Sequence, residues 1–313
     1  MKRFKKSFFL VALLSILILT ACSENGTKLV EEKDIMATVN GKAILQEEFD
    51  KAISYYKDYV EYLYGEDAWE SEARAGLTYK QKYEDSVMDD MIYRLLLLDA
   101  AEKEGITATE EEVQAQLDSF KVYFQNEEEY KSYLTQSGMT EENIKEELSN
   151  DILINHFLLL KTENLSPTDE EFKALFDELR MNTQVRASHI LVNTEEEALT
   201  VSERSNNGED FADLARELSV DTGSSENGGD LDYFSYAQMV KPFSEAAFSM
   251  EIGEISEPVE SEFGYHIIKV TDKIVDEEKT VETEKDWLIA YYKDAKIKEL
   301  LDKLETEAEI VKN

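Results

Sequence analysis

The sequence predicts an α+β protein in which a segment rich in β-type runs is inserted into a mostly helical chain. Three observations lead to this fold class. Charged residues make up 33% of the 313 residues and there are only three prolines, which favours long, exposed helices. Apolar residues recur at three- and four-residue spacing in residues 49–63 and 283–305. Residues 79–104 contain the run MIYRLLLLDAA, which is apolar on most sides of a helix and predicts a helix in the middle of a helical layer. Over residues 185–270 the helices shorten, β-type runs appear and glycines cluster.

Turn and capping signals assign the first elements. Asn40-Gly41 lies between two short β-type runs and is the strongest two-residue hairpin signal, because both turn positions need a positive φ. Helix starts are predicted where a threonine can cap the first turn, twice with glutamate three positions later; these threonines are Thr109, Thr140 and Thr168.

The end of the chain determines the predicted domain organisation. The last helix, from about residue 283 to 305, has no sizeable core of its own, so we expect it to pack back onto the first helical segment. The final letters EAEIVKN are compatible with one more strand. The sequence therefore predicts a helical domain of residues 34–182 plus 275–313, with an inserted domain of residues 183–273.

The first 33 residues have the pattern of an export signal followed by a tether. Basic MKRFKK precedes an apolar run of twelve residues, 8–19, which is short for a membrane span and typical of a signal peptide. The run ends in LTAC, which resembles the bacterial lipobox. Residues 1–21 are thus predicted to be a lipoprotein signal peptide, residues 22–33 a flexible tether, and Cys22, the only cysteine, the lipidated residue. The expected location is the extracytoplasmic face of a bacterial cell membrane, with lipid as the anchor.

The net charge of the chain excludes one class of binding partner. The formal net charge is −36, and the four basic residues of the first 21 are not offset by any acidic one there, so the remainder is more acidic still. Such a surface repels nucleic acid phosphates, and no nucleic acid partner is expected.

Two of the three histidines share an unusual position. In VRASHILV and FGYHIIKV, alternation puts His189 and His266 on an apolar face of a strand. A single histidine of this kind is more often a hydrogen-bonded core residue. Two such strands can be neighbours in one sheet, and the rings can then bond each other or a shared hydroxyl. His156, among leucines in a helical segment, is interpreted as structural.

Residues 185–270 resemble the parvulin-type peptidyl-prolyl isomerases. The matching segments are RASHILV, DFADLARELSVDTGSSENGGDLDYF, QMVKPFSEAAFSM and GEISEPVESEFGYHIIKV. The whole chain is similar to extracytoplasmic foldase lipoproteins, and its helical part to SurA-like and trigger-factor-like chaperone domains. The resemblance implies a small antiparallel sheet with surrounding helices, inserted in that mostly helical domain.

The resemblance also implies a site. His189 and His266 match the paired histidines of the family, Asp221 matches a position occupied by cysteine or aspartate, and Ser261 matches a hydroxyl beside the second histidine. Three apolar positions match those that hold the substrate proline ring: Leu231, Met239 and Phe243. Considered alone, each apolar residue is more often core, and Asp221 is as readily a turn residue.

The expected function is therefore cis/trans isomerisation of X-Pro bonds in unfolded or nascent secreted proteins. No metal, nucleotide or redox cofactor is expected, and the spacing of the two histidines and Asp221 does not indicate a zinc site. The acidic segment NTEEEALT, residues 193–200, is interpreted as a loop that repels phosphorylated substrates. The alternative is a holdase-type chaperone with a catalytically weak parvulin domain. The sequence does not decide whether the chain forms a homodimer.

Overall fold

The computed structural model describes residues 34–74 and 76–313. The predicted signal peptide, the tether and the lipidation site Cys22 lie outside the described residues. By packing, the described residues divide into unit 1, which comprises 34–69, 79–164 and 296–313, and unit 2, which comprises 70–74, 76–78 and 165–295. Among the described helices, none is long and apolar enough to cross a membrane.

Unit 1 combines helices with a three-stranded antiparallel sheet, in which the strand Ile35–Val39 pairs with Lys42–Leu45 on one side and with Ile310–Lys312 on the other. The hairpin forms as predicted, with Asn40 and Gly41 at φ values of 50° and 82°. The described elements of this unit are β1 (Ile35–Val39), β2 (Lys42–Leu45), α1 (Gln46–Tyr64), α2 (Tyr79–Lys103), α3 (Glu110–Lys121), α4 (Glu127–Ser137), α5 (Glu141–Thr162) and β9 (Ile310–Lys312).

The predicted helix starts are confirmed at atomic detail. The Thr109 side chain accepts a hydrogen bond from the amide of Glu112, whose carboxylate accepts one from the Thr109 amide at 2.8 Å. Thr168 and Glu171 repeat this reciprocal pair. Each box satisfies backbone donors that the first turn of a helix leaves without an internal partner.

The core of unit 1 lies around α2, which is buried on most sides, as its run of leucines predicts. The last helix, α10 (Lys285–Glu307), begins in unit 2 and ends in unit 1. In its second half, Leu300, Leu301 and Leu304 pack against a cluster of α2 and α5 side chains. Strand β9 then pairs with β1, so the end of the chain joins the first segment in one unit.

Unit 2 contains a four-stranded antiparallel sheet. Its two central strands are Thr183–Val192 and Gly264–Val275, the first flanked by Asp230–Ser235 and the second by Val259–Ser261. Its described elements are β3 (Glu72–Arg74), β4 (Leu77–Thr78), α6 (Asp169–Glu178), β5 (Thr183–Val192), α7 (Glu195–Asn206), α8 (Phe211–Leu218), β6 (Asp230–Ser235), α9 (Lys241–Ser249), β7 (Val259–Ser261), β8 (Gly264–Val275) and the first part of α10.

The compact units divide at residues other than the predicted domain boundaries. The sequence assigns α6 to the helical domain, whereas in the structure α6 and the start of α10 belong to unit 2. The reason is a separate apolar cluster in which Phe172 and Leu179 pack against Leu288. The domain limits 183–273 therefore remain a prediction, and the packed unit extends beyond them on both sides.

The segment predicted as an acidic loop after β5 is mostly helical. Helix α7 begins at Glu195, because Thr194 caps it and Glu197 completes a capping box. The loop prediction was wrong beyond the first two residues of the segment, since the same threonine-glutamate spacing that marks the other helix starts is present here.

Both faces of the sheet in unit 2 are apolar. On one face, Val185 and Ala187 of β5 lie with Ile268 and Val270 of β8 and pack against α9. On the other face, Ile190, Val192 and Ile267 pack against α7 and α8. The histidines of β5 and β8 belong to the α9 face, which is the setting of the site described next.

Candidate active site

The structure brings the two strand histidines together on neighbouring central strands. In the register of β5 and β8, His189 lies opposite Ile268 and His266 lies opposite Leu191, so the histidines are diagonal neighbours. Their Nδ1 atoms are 3.1 Å apart. Only 6% of His189 and 4% of His266 is exposed. The pairing that the two sequence patterns predict is therefore present, and it is buried.

Hydrogen bonds extend from the pair at both ends. His189 Nε2 lies 2.7 Å from Asp221 Oδ2 and 3.1 Å from Ser224 Oγ. The Ser224 hydroxyl also donates to the Asp221 carboxylate. At the other end, His266 Nε2 lies 2.7 Å from Ser261 Oγ. The result is a continuous network of carboxylate, imidazole, imidazole and hydroxyl.

The ionised carboxylate fixes one end of this network. Asp221 can only accept, so His189 Nε2 donates to it. The Nδ1 atoms of the two histidines face each other, and His266 Nε2 faces the Ser261 hydroxyl. Each imidazole nitrogen therefore has a partner.

The pKa values of His266 and Asp221 indicate the charge of each group. Burial, strengthened by repulsion from His189 and only partly opposed by Asp221, lowers the pKa of His266 to about 4. Burial tends to raise the pKa of Asp221, but hydrogen bonds from Ser224, His189 and the Gly223 amide outweigh it and lower the pKa of this carboxyl. At neutral pH the site thus combines a neutral histidine with an ionised aspartate.

An apolar wall lies against the imidazole pair. The Phe243 ring meets both imidazoles nearly at right angles, with centroid distances of 5.8 Å to His189 and 5.2 Å to His266. Leu231 and Met239 pack in the same cluster and remain half-buried. Of the three apolar residues predicted for the site, Phe243 contacts both imidazoles, and Leu231 and Met239 pack in the cluster around it. Phe243, 2% exposed, also belongs to the core.

Two hydroxyl groups of the site were not predicted from the sequence. Ser224 bonds both Asp221 and His189, and the Ser219 hydroxyl accepts from the amides of Leu191 and Asp221. An aspartate followed three residues later by serine is a signal for a local side-chain turn, and in SVDTGSS it indicates Ser224. No comparable signal indicates Ser219.

Gly229 allows the chain to approach the first histidine closely. The His189 amide donates to the Gly229 carbonyl at 2.9 Å. A Cβ at this glycine would lie 2.1 Å from the carbonyl oxygen of His189, and its φ is +78°. Only glycine tolerates both conditions, which explains one glycine of the cluster at 223–229.

The remaining sequence hypotheses have simpler outcomes. His156 is half-buried in unit 1, where its ring lies 3.3 Å from the Thr107 carbonyl and 3.2 Å from a Glu112 carboxylate oxygen. Over the part of the chain that the structure describes, no group of three or more histidine, cysteine or acidic side chains is arranged to hold a metal ion.

Comparison with known families gives the class of protein. Residues 139–274 match the family model described as PPIC-type PPIase domain, which spans the four-stranded sheet and every predicted site residue except the lipidation site Cys22. Residues 1–158 match the SurA-like N-terminal domain. The chain is therefore a peptidyl-prolyl cis-trans isomerase of the parvulin type.

Similar proteins narrow the class to one family. The foldase protein PrsA of Caldanaerobacter subterraneus subsp. tengcongensis is 37% identical over 318 residues, which cover 99% of this chain and 96% of that protein. The foldase protein PrsA of Geobacillus kaustophilus is 33% identical over 269 residues, or 86% and 79% of the two chains. A 1.70 Å crystal structure of the peptidylprolyl isomerase PrsA from Bacillus anthracis is similar with a TM-score of 0.53 and 27% identity, covering 69% of this chain and 96% of that one. This chain belongs to the PrsA foldase family.

Proposed function

We propose that the protein is a lipid-anchored, extracytoplasmic foldase that isomerises X-Pro bonds in secreted proteins. The observation that carries the proposal is the buried pair His189 and His266, hydrogen-bonded to Asp221 and Ser261 beside an apolar wall. The lipobox-like LTAC supports the anchor, with Cys22 as the lipidated residue.

The reaction requires the X-Pro amide to twist. This bond has a cis/trans barrier of about 20 kcal/mol and isomerises unaided in tens to hundreds of seconds. An apolar pocket that includes Leu231, Met239 and Phe243 holds the prolyl ring while the preceding carbonyl rotates. Binding the twisted amide better than the planar one lowers the barrier, and no cofactor is needed for this step.

Asp221 is the network member best suited to favour the twisted amide. Its side chain is 30% exposed, whereas both histidines are buried. Twisting breaks the amide resonance and reduces the negative charge on the carbonyl oxygen. A carboxylate beside that oxygen therefore destabilises the planar amide more than the twisted one. In this mechanism the histidines and Ser261 hold Asp221 in position and transfer no proton.

A peptide isomerisation assay tests this mechanism. The chain from residue 23 onward is compared with a double variant, His266→Ala with Asp221→Ala, on a short X-Pro peptide. Loss of a charged hydrogen-bonded group and its neighbour should lower kcat/KM by about 100-fold. The control is His156→Ala in unit 1, which should retain activity. Absence of activity in the parent chain, or full activity in the double variant, would refute the mechanism.

Detergent partitioning and mass spectrometry test the anchor separately. The mature chain from bacterial cells should enter the detergent phase, and its first residue should be Cys22 with attached lipid. Cys22→Ala should carry no lipid and should keep residues 1–21, because cleavage at a lipobox requires the lipidated cysteine. A mature wild-type chain whose Cys22 is unmodified would exclude lipidation there.

A second candidate function, prevention of client aggregation, is favoured by one surface of unit 1. On α1, Tyr55, Tyr59 and Tyr62 follow each other at helical spacing and are 61%, 49% and 86% exposed. We call these three residues the tyrosine surface. Contiguous exposed aromatic groups mark interaction sites, and unfolded polypeptide is the partner suited to a SurA-like unit.

Deletion of residues 183–273 distinguishes the two functions. If unit 1 suffices for holdase activity, the shortened chain still suppresses aggregation of a reduced client, and replacing the tyrosine surface by serines abolishes the effect. The outcome that contradicts this candidate is suppression that follows isomerase activity and ignores the tyrosines.

A further inference from the structure

A cleft beside the isomerase site is not used by the proposed mechanism. It has a volume of about 160 Å³ and lies within unit 2. Its walls are mostly apolar and aromatic, and its rim is charged: the wall residues are Leu179, Tyr236, Met239 and Tyr291, and the rim residues are Glu178 and Lys241. A cavity of about 150 Å³ is enough to accept benzene, so this cleft has room for an aromatic side chain.

The cleft is continuous with the apolar wall of the isomerase site. Met239 lines the cleft and also packs in the cluster that contains Phe243. A series of neighbouring aromatic rings connects the apolar wall of the isomerase site with the cleft. The centroid distances are 5.7 Å from Phe243 to Phe234, 6.0 Å from Phe234 to Phe248 and 5.3 Å from Phe248 to Tyr236. The Phe243 and Tyr236 rings are therefore at most 17 Å apart, a distance that about five extended residues span.

The walls of the cleft are held in place before any ligand binds. The hydroxyl of fully buried Ser244 donates to the Tyr236 carbonyl at 2.6 Å, which fixes the turn that carries Tyr236 and Met239. On the other side, Tyr291 stacks on Trp287 with a centroid distance of 5.3 Å and an interplanar angle of 15°. Tyr291 and Trp287 nevertheless remain 37% and 39% exposed. A rigid, partly exposed aromatic wall binds with little loss of conformational entropy.

We propose that this cleft is a second subsite for the same client chain, and that it takes an aromatic or large aliphatic side chain within about five residues of the proline. The proposal rests on the proposed function, because the prolyl ring occupies the first subsite. Continuity through Met239 argues for one extended polypeptide as the occupant. The charged rim, where Lys241 lies 3.7 Å from Glu245, leaves the backbone of the client in a polar setting.

The first test compares peptides by their rates of isomerisation. Each peptide carries one X-Pro bond and one phenylalanine, which is moved through the five positions on either side, with alanine peptides as the reference. At the best position, the wild-type chain should show a kcat/KM about tenfold above that for the alanine peptide, as expected for partial burial of an aromatic ring. Tyr291→Ala should reduce this ratio to near one.

Matched variants distinguish an effect of the cleft from a general loss of structure. Tyr123, an exposed tyrosine of unit 1, provides the control, and Tyr123→Ala should keep the tenfold ratio. Ala237 lines the cleft and is exposed, so Ala237→Glu introduces a charge into the cleft without removing core contacts. This variant should have the circular dichroism spectrum of the wild-type chain, and its ratio of kcat/KM between phenylalanine and alanine peptides should also fall to near one. A wild-type ratio near one at all positions, or a ratio retained in both cleft variants, overturns the proposal.

The second test measures peptide binding independently of isomerase activity. Trp69 and Trp287 are the two tryptophans of the chain, so a Trp69→Phe background makes Trp287 the sole indole reporter beside Tyr291. Phenylalanine peptides should shift the Trp287 emission and bind about tenfold more tightly than alanine peptides. If isomerase activity is absent and this preference persists, the proposed function fails and the subsite stands. Tyr291-dependent self-association without a peptide preference would identify a second copy as the occupant and overturn the proposal.

Discussion

Single residues determine the charge state of the site. Asp221 only accepts, so His189 Nε2 donates to it, and every imidazole nitrogen of the pair has a hydrogen-bond partner. His266 is neutral at neutral pH, because burial and the neighbouring His189 lower its pKa to about 4. This hydrogen-bonded network fixes the geometry of the apolar wall and of the partly exposed carboxylate, which is the property that a reaction without net proton transfer requires.

The lowered pKa of His266 predicts a loss of stability in mild acid. In the unfolded chain this histidine takes up a proton below its ordinary pKa of 6.5, whereas the folded site resists protonation until about pH 4. Stability of unit 2 should thus fall as the pH drops from 6.5 towards 4, by up to about 3 kcal/mol in total. Urea unfolding followed by Trp287 emission, in the Trp69→Phe background, measures this loss.

His266→Gln serves as the reference for this prediction. It keeps a polar side chain but cannot take up a proton, so the difference in unfolding free energy between the parent and the variant should shrink with acidification. Carboxylates titrate alike in both chains and cancel in the difference. A difference that stays constant between pH 6.5 and 4.5 would show that His266 is not kept neutral.

The close contact at Gly229 predicts that one added methyl group strongly lowers the free energy of unfolding. In Gly229→Ala the Cβ would meet the His189 carbonyl oxygen at 2.1 Å, at a φ of +78°. The clash and the strain together should lower the unfolding free energy by about 3 kcal/mol or more. Gly208→Ala is the control, because Gly208 has a φ of +93° with no atom within 4 Å of its Cβ, so only strain of about 1 kcal/mol is expected. Similar urea midpoints for the two variants would contradict the argument.

Among the secondary-structure elements, the start of helix α7 predicts how the protein treats phosphorylated substrates. A helix N-terminus attracts phosphate, but here Glu195, Glu196 and Glu197 fill the first turn. The Glu197 carboxylate already accepts from the amides of Asn193 and Thr194 at 3.2 and 3.0 Å. The Glu197 carboxylate therefore takes the backbone amide donors that a phosphate would need. The negative charge of the three glutamates also cancels the attraction of the helix N-terminus for an anion.

This arrangement predicts no preference for phosphorylated substrates. Peptides with phosphoserine before proline should be isomerised no faster than the serine peptides, because repulsion from three carboxylates opposes the phosphate. The measurement is the ratio of the two kcat/KM values. Glutamate-proline peptides control for charge alone, and a ratio well above one for the phosphopeptide would contradict the prediction.

At the scale of the whole molecule, the formal charge of −36 predicts salt-dependent client binding. Exposed charges attract an oppositely charged chain over about 10 Å at 0.1 M salt, and over less as salt increases. Suppression of aggregation should therefore weaken for a basic reduced client such as lysozyme when NaCl rises from about 50 to about 300 mM. An acidic reduced client of similar size should show no such weakening. Equal salt dependence for both clients would exclude charge as the cause.

Most of the local elements and most residues of the candidate site could be predicted from the sequence alone. Spacing of three and four residues, threonine caps and the Asn40-Gly41 turn depend on neighbours in the chain, so they can be read without a fold. Alternation in two strands also indicated that His189 and His266 are buried on apolar faces. The parvulin resemblance then supplied Asp221, Ser261 and the apolar wall.

How these elements and residues combine depends on contacts that exist only in the folded chain. Ser219 and the apposition of Gly229 and His189 depend on contacts between segments far apart in the chain, which no local pattern encodes. The same holds for α6, which the sequence assigned to the helical domain and which packs through Phe172 against Leu288 in unit 2. The cleft at Tyr291 exists because a helix that follows the sheet in the chain meets the turn at Tyr236. Local preferences fix elements, whereas burial of apolar surface between distant elements fixes units, cavities and sites.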